Sequence, residues 1–164
     1  MLPRPFDAHV HFRDGDILRA VAPLTAKVFG RAVVMPNLRP PVTTMARVKT
    51  YRDEIISALP RGADFEPLMT LYLTDTTNVD DLDRGFKEKS IAAAKLYPLN
   101  ATTNADAGVS NVKSIYPVLE KMQYLKMPLL IHGEYVDRDV DIFDREAVFI
   151  ERVLVSLRRD FPEL

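Results

Sequence analysis

Five short apolar runs, each followed by a stretch of helical periodicity, constrain this chain more than any other feature of its sequence. They are Phe6–Phe12, Ala32–Met35, Pro67–Leu73, Ile91–Tyr97 and Pro128–His132. Ala32-Val33-Val34-Met35 is continuous rather than alternating, the pattern of a strand buried on both faces. Between the runs the periodicity changes to 3.6. Ile17–Phe29 is expected as two short helices or one kinked at Pro23, with Gly15-Asp16 as turn and cap and Gly30 as its stop. Thr43 or Thr44 caps a helix that carries Val48, Tyr51, Ile55 and Leu59 on one stripe. Asn78, with Asp81 in the first turn, caps a third helix through about Lys87. Ser110 starts a fourth, with Val112, Ile115, Leu119, Met122 and Leu125 at helical spacing, and a last one runs from about Phe143 to Arg159.

Five strand–helix units in series imply a parallel sheet with right-handed crossovers. The two architectures open to it are a doubly wound sheet and a (β/α)8 barrel. A complete barrel typically takes ~250 residues, so a chain of 164 residues holds about the first five units of eight. Residues 1–164 are then expected to be one portion of a single α/β barrel domain, with sheet edges and apolar faces uncovered. The chain is 47% hydrophobic and 27% charged with a formal net charge of −1, an ordinary globular balance with no footprint for nucleic acid or an anionic membrane. Nothing in Met1–Pro5 resembles a signal peptide and no segment approaches a membrane span, so a cytoplasmic protein is expected. Cysteine is absent, so any metal must be held by histidines, carboxylates or modified side chains.

The chain has three histidines, and His9, His11 and His132 all fall at the carboxyl ends of expected strands. That end carries the functional site in both candidate architectures. In a strand, His9 and His11 project from one face, with Phe6, Ala8, Val10 and Phe12 turned into packing. The pair reads either as metal ligands or as hydrogen-bonding residues of a half-buried strand. Lys95 stands inside an apolar run. Burial lowers the pKa of such an amine, making it a nucleophile or a partner for carbon dioxide in forming an anionic carbamate; the alternative is a lysine that snorkels to the strand end. Arg13 suits bidentate recognition of a carboxylate, and Asn37, just after Pro36, suits orientation of a polar substrate. A surface arginine and a turn asparagine are the plainer readings of these two.

Taken together, His9-x-His11-x-Arg13, Val34-Met35-Pro36-Asn37, Ala93-Ala94-Lys95-Leu96-Tyr97-Pro98, Asn100-Ala101-Thr102-Thr103-Asn104 and Leu130-Ile131-His132-Gly133-Glu134 resemble the dihydroorotases of the stand-alone bacterial type, in the amidohydrolase superfamily. An H-x-H pair marks only the superfamily; five blocks in this order and spacing are specific, and they span nearly the whole chain. The resemblance implies a (β/α)8 barrel holding two zinc ions per complete barrel. His9 and His11 would bind one zinc, His132 the other, and Lys95, as its carbamate, would bridge them. It also implies that Arg13 and Asn37 hold the substrate carboxylate and that Thr102 and Thr103 lie on a mobile loop closing over the substrate. The implied reaction is the reversible cyclisation of N-carbamoyl-L-aspartate to L-dihydroorotate in de novo pyrimidine (UMP) synthesis, by an enzyme that is a homodimer when complete. A further zinc-binding histidine, and the aspartate that moves the proton, would lie beyond residue 164. The resemblance therefore assigns this chain no general acid or base, and activity would need the remaining units. Two alternatives stay open: a non-catalytic truncated barrel acting as a binding or assembly subunit, and another cyclic-amide amidohydrolase.

Overall fold

Each apolar run pairs with the next. A computed structural model describes residues 4–164; residues 1–3, part of the N-terminal stretch read above, lie outside the described residues. Strands β1 (Phe6–Val10), β2 (Arg31–Val34), β3 (Glu66–Tyr72), β4 (Ala93–Leu96) and β5 (Leu129–Ile131) form one five-stranded parallel sheet in the order β1-β2-β3-β4-β5. A doubly wound sheet reverses its order about its first strands. The sequential order excludes it and describes an arc of a barrel. Helices α1 (Gly15–Val28), α2 (Met45–Ala58), α3 (Val79–Lys87) and α4 (Tyr116–Leu125) pack on the outside. Leu18, Ala22, Val48, Tyr51, Ile55, Leu82, Leu119 and Met122 from these helices meet Leu71, Leu73, Ala94 and Leu96 of the sheet region in one buried core. No described helix is long and apolar enough to cross a membrane.

Several boundaries move for identifiable reasons. α1 runs unbroken through Pro23 and begins at Gly15, with Asp14 rather than Asp16 at its N-cap. Burial of Leu18, Ala22 and Ala26 against the sheet outweighs a local proline cost of ~3 kcal/mol. Ser110 does not start the fourth helix. Its N–H is taken by the Asp75 carboxylate at 3.1 Å, and Asn111 Oδ1 instead accepts from the Lys113 N–H at 3.0 Å. A 3-10 turn, Val112–Ile115, then leads into α4. The last helix begins at Arg145, not Phe143, whose N–H is turned onto the Asp141 carboxylate and whose ring is 93% exposed. It has three parts, α5 (Arg145–Phe149), a π-helical turn (Ile150–Leu154) and α6 (Val155–Asp160). In β1, Phe6 is 54% exposed and Ala8 is exposed, so only Val10 and Phe12 of the expected apolar face pack inward.

The caps of α2 and α3 fall as expected: Thr44 accepts from the Arg47 N–H, and Asn78 accepts from the Asp81 N–H at 2.9 Å. Asn78→Ala should lower stability by about 1 kcal/mol, since it leaves an α3 amide without its side-chain acceptor. Urea unfolding with an unchanged m-value would register the loss; an unchanged midpoint would show that water replaces the cap.

Candidate metal centre

The strand order brings the carboxyl ends of β1, β4 and β5 to the same rim, and all three histidines stand there. β1 is irregular at this point. Three steps along it, Asp7 to Val10, face two along β2, Ala32 to Val34. The additional residue re-aims the chain, and the His9 N–H turns onto Asp7 Oδ1 at 2.9 Å. His11 already lies past the strand, so strand alternation alone does not align the pair. The two rings nevertheless converge, with 3.0 Å between the two Nε2 atoms.

That geometry fits a metal. Two nitrogens on one tetrahedral zinc at the usual ~2.0–2.1 Å stand roughly 3.3 Å apart, so the pair needs only slight widening. Burial, then the charge of Lys95, holds the His9 pKa below its ordinary value; burial, then Arg13 and His9, takes His11 down to about 4. Both rings are therefore neutral at pH 7, the form that ligates metal. The Asn37 amide lies against His11, yet His11 Nδ1 and Asn37 Oδ1 are both buried without a hydrogen-bond partner. Ligation through Nε2 puts the ring proton on Nδ1, making it a donor beside that acceptor.

Lys95 is 3% exposed, which rules out the snorkelling alternative. It sits opposite Tyr72 on β3 and Leu130 on β5. Its Nζ lies 5.1 Å from the centre of the Tyr97 ring, and burial alone lowers its pKa to about 8. Tyr97 stacks on Tyr72 at 5.1 Å between centroids and faces the His132 ring at 6.0 Å, so lysine, tyrosines and histidine share the inner face. His132 Nε2 is bonded to Glu134 Oε1 at 2.9 Å, and Arg145 reaches the other oxygen of Glu134 at 3.9 Å. Among the described residues no three His, Asp or Glu side chains converge on one point.

Arg13 and Asn37 adjoin this group. Arg13 Nη1 approaches the Asn37 carbonyl at 3.5 Å, and the guanidinium charge is felt by both His11 and Tyr97. Asn37 is 2% exposed and its amide donates to the Thr103 carbonyl at 2.9 Å, while the Asn104 amide donates back to the Asn37 carbonyl at 2.9 Å. The 100–109 loop is thus clasped to the end of β2. Thr103 contributes its backbone to this clasp, and the Thr102 carbonyl serves a turn within the loop. Gly108 lets the loop lie against β4: a Cβ there would come within 2.6 Å of the Tyr97 carbonyl oxygen. Tyr97 and Asn104 stand in the sequence blocks quoted above without a role of their own, and Asp7, Tyr72 and Arg145 are not candidates on sequence. The tyrosines carried a usable signal, since both stand at strand ends; Arg145 carried none.

An arc of parallel βα units with histidines and a buried lysine at its carboxyl rim defines a metal-hydrolase type of barrel. The model of the amidohydrolase family matches residues 1–163, and the chain belongs to that family, whose members are generally metal-dependent. Within it, the chain is 61% identical over 161 residues to the dihydroorotase of Novosphingobium aromaticivorans, covering 98% of this chain and 46% of that protein. The crystal structure of dihydroorotase from Campylobacter jejuni superposes with a TM-score of 0.87 at 39% identity, over 98% of this chain and 46% of that one. That of Saccharomyces cerevisiae dihydroorotase in complex with 5-fluoroorotic acid gives 0.86 at 32% identity, over 97% and 45%. The chain spans about half the length of the curated relatives it matches, and its five units correspond to part of their barrel.

Proposed function

We propose that residues 1–164 form part of a single barrel domain with dihydroorotase activity, interconverting N-carbamoyl-L-aspartate and L-dihydroorotate in pyrimidine synthesis. The observation that carries this reading is the 3.0 Å convergence of the neutral His9 and His11 rings beside the Arg13 guanidinium. His9, His11, His132 and Lys95 as its carbamate would hold two zinc ions. Bound there, the metals would polarise the ring amide carbonyl and bring water into an attacking state near neutral pH.

The chain's own residues do the rest of the work assigned to it. Arg13 binds the substrate carboxylate through its planar fork, a class of contact that favours an acidic cyclic amide over a neutral one. Asn37 donates one of its two amide N–H groups to the Thr103 carbonyl, which leaves the second for the substrate while the first holds the loop in place. Thr102 and Thr103 can donate to the substrate and limit water access. The proton-moving group is expected outside these residues, so activity belongs to the completed barrel.

The test is a chimera in which residues 1–163 replace the matching 46% of the Novosphingobium aromaticivorans dihydroorotase. It is expected to hydrolyse L-dihydroorotate and to retain two zinc ions per barrel by elemental analysis. A folded chimera with neither property, beside an active parent, would point to a non-catalytic binding role.

A further inference from the structure

Arg13 has a backbone conformation that a non-glycine residue seldom adopts, φ +58°. Something must hold it there. Tyr51, on α2, is fully buried, and its hydroxyl donates to the Arg13 carbonyl at 2.9 Å across 38 residues of sequence. The ring belongs to the core with Ile55 and Val48, so the hydroxyl is presented from a rigid element rather than from a loop. The strained turn directs the Arg13 guanidinium towards the Asn37 carbonyl, next to His11.

We propose that Tyr51 is a positioning residue for substrate recognition: its hydroxyl locks the left-handed turn at Arg13 and so aims the guanidinium at the substrate carboxylate. A core tyrosine at this point does not need its hydroxyl to fill space, since phenylalanine has nearly the same shape. What the oxygen adds is one directional bond to the one carbonyl that fixes Arg13. Without that bond Arg13 can relax towards negative φ, and the fork swings away from its position near Asn37. The inference rests on the proposed role of Arg13 in binding a carboxylate.

The experiment uses the chimera described above and separates KM from kcat. Tyr51→Phe is expected to raise KM for L-dihydroorotate roughly fivefold, the effect of one lost hydrogen bond acting through a neighbour, with kcat within about twofold. Ile55→Val, one turn along the same buried face, is the stability control and should leave KM unchanged. Arg13→Gln is run in parallel and should raise KM by about a hundredfold, as expected for a lost charge-assisted contact. If Arg13→Gln weakens binding but Tyr51→Phe lowers stability alone, as Ile55→Val does, the positioning role is overturned and the carboxylate reading stands. If Arg13→Gln leaves KM unaltered, the carboxylate reading itself fails, and the role of Tyr51 with it.

Discussion

In the completed barrel, His11→Ala is expected to lower metal content and to reduce dihydroorotate turnover about a thousandfold or more, the scale of losing roughly 4 kcal/mol of electrostatic stabilisation. His11 is the sharper test of the pair because its environment is the more specialised. It is held neutral with a pKa of about 4, its Nε2 faces that of His9, and its Nδ1 is buried next to Asn37 Oδ1. None of these features helps an ordinary packed histidine, which would find a partner for Nδ1. Elemental analysis alongside circular dichroism separates metal loss from misfolding. A folded variant with wild-type metal content and turnover would remove His11 from the ligand set.

Lys95→Met should raise the stability of the metal-free protein and, like His11→Ala, reduce turnover. The amine is 3% exposed and no carboxylate is paired with it among the described residues, so folding without metal must bury it at a cost. Methionine has similar length and no such cost. We expect the metal-free variant to unfold at higher urea, by about 2 kcal/mol, the order of the cost of burying an unpaired amine once the surroundings relax. The same variant in the completed barrel should lose turnover, since thioether sulfur cannot take up carbon dioxide. A less stable Lys95→Met protein would mean that the amine makes a favourable contact in the fold. Stabilisation with full activity would exclude the carbamate.

How much of this was legible in the sequence depends on the length scale. The strand–helix alternation follows from apolar runs and caps such as Thr44 and Asn78, which act over a few residues. The sequential strand order then follows from the handedness of crossovers once a barrel is chosen over a doubly wound sheet. The ligand candidates were legible because histidine is scarce here and falls at strand ends. What escaped was everything set by contacts distant in sequence. Pro23 is tolerated because sheet packing overrides local geometry. Phe6 is exposed where alternation placed it inside. The bulge at His9, the clasp between Asn37 and Asn104, and the bond from Tyr51 to Arg13 join positions up to 67 residues apart. No periodicity encodes such pairings.

The strictly sequential strand order also bears on how the centre comes into being. Among the described strands each one docks on the strand made just before it, so each of these pairings closes only a modest loop. Such an arc can zip up from its beginning while synthesis is still under way. Of the proposed ligands, His9 and His11 belong to the β1 unit, Lys95 to that of β4 and His132 to that of β5. The proposed ligands thus leave the ribosome in order, and a nascent chain should gain its first metal-binding capacity before His132 is made.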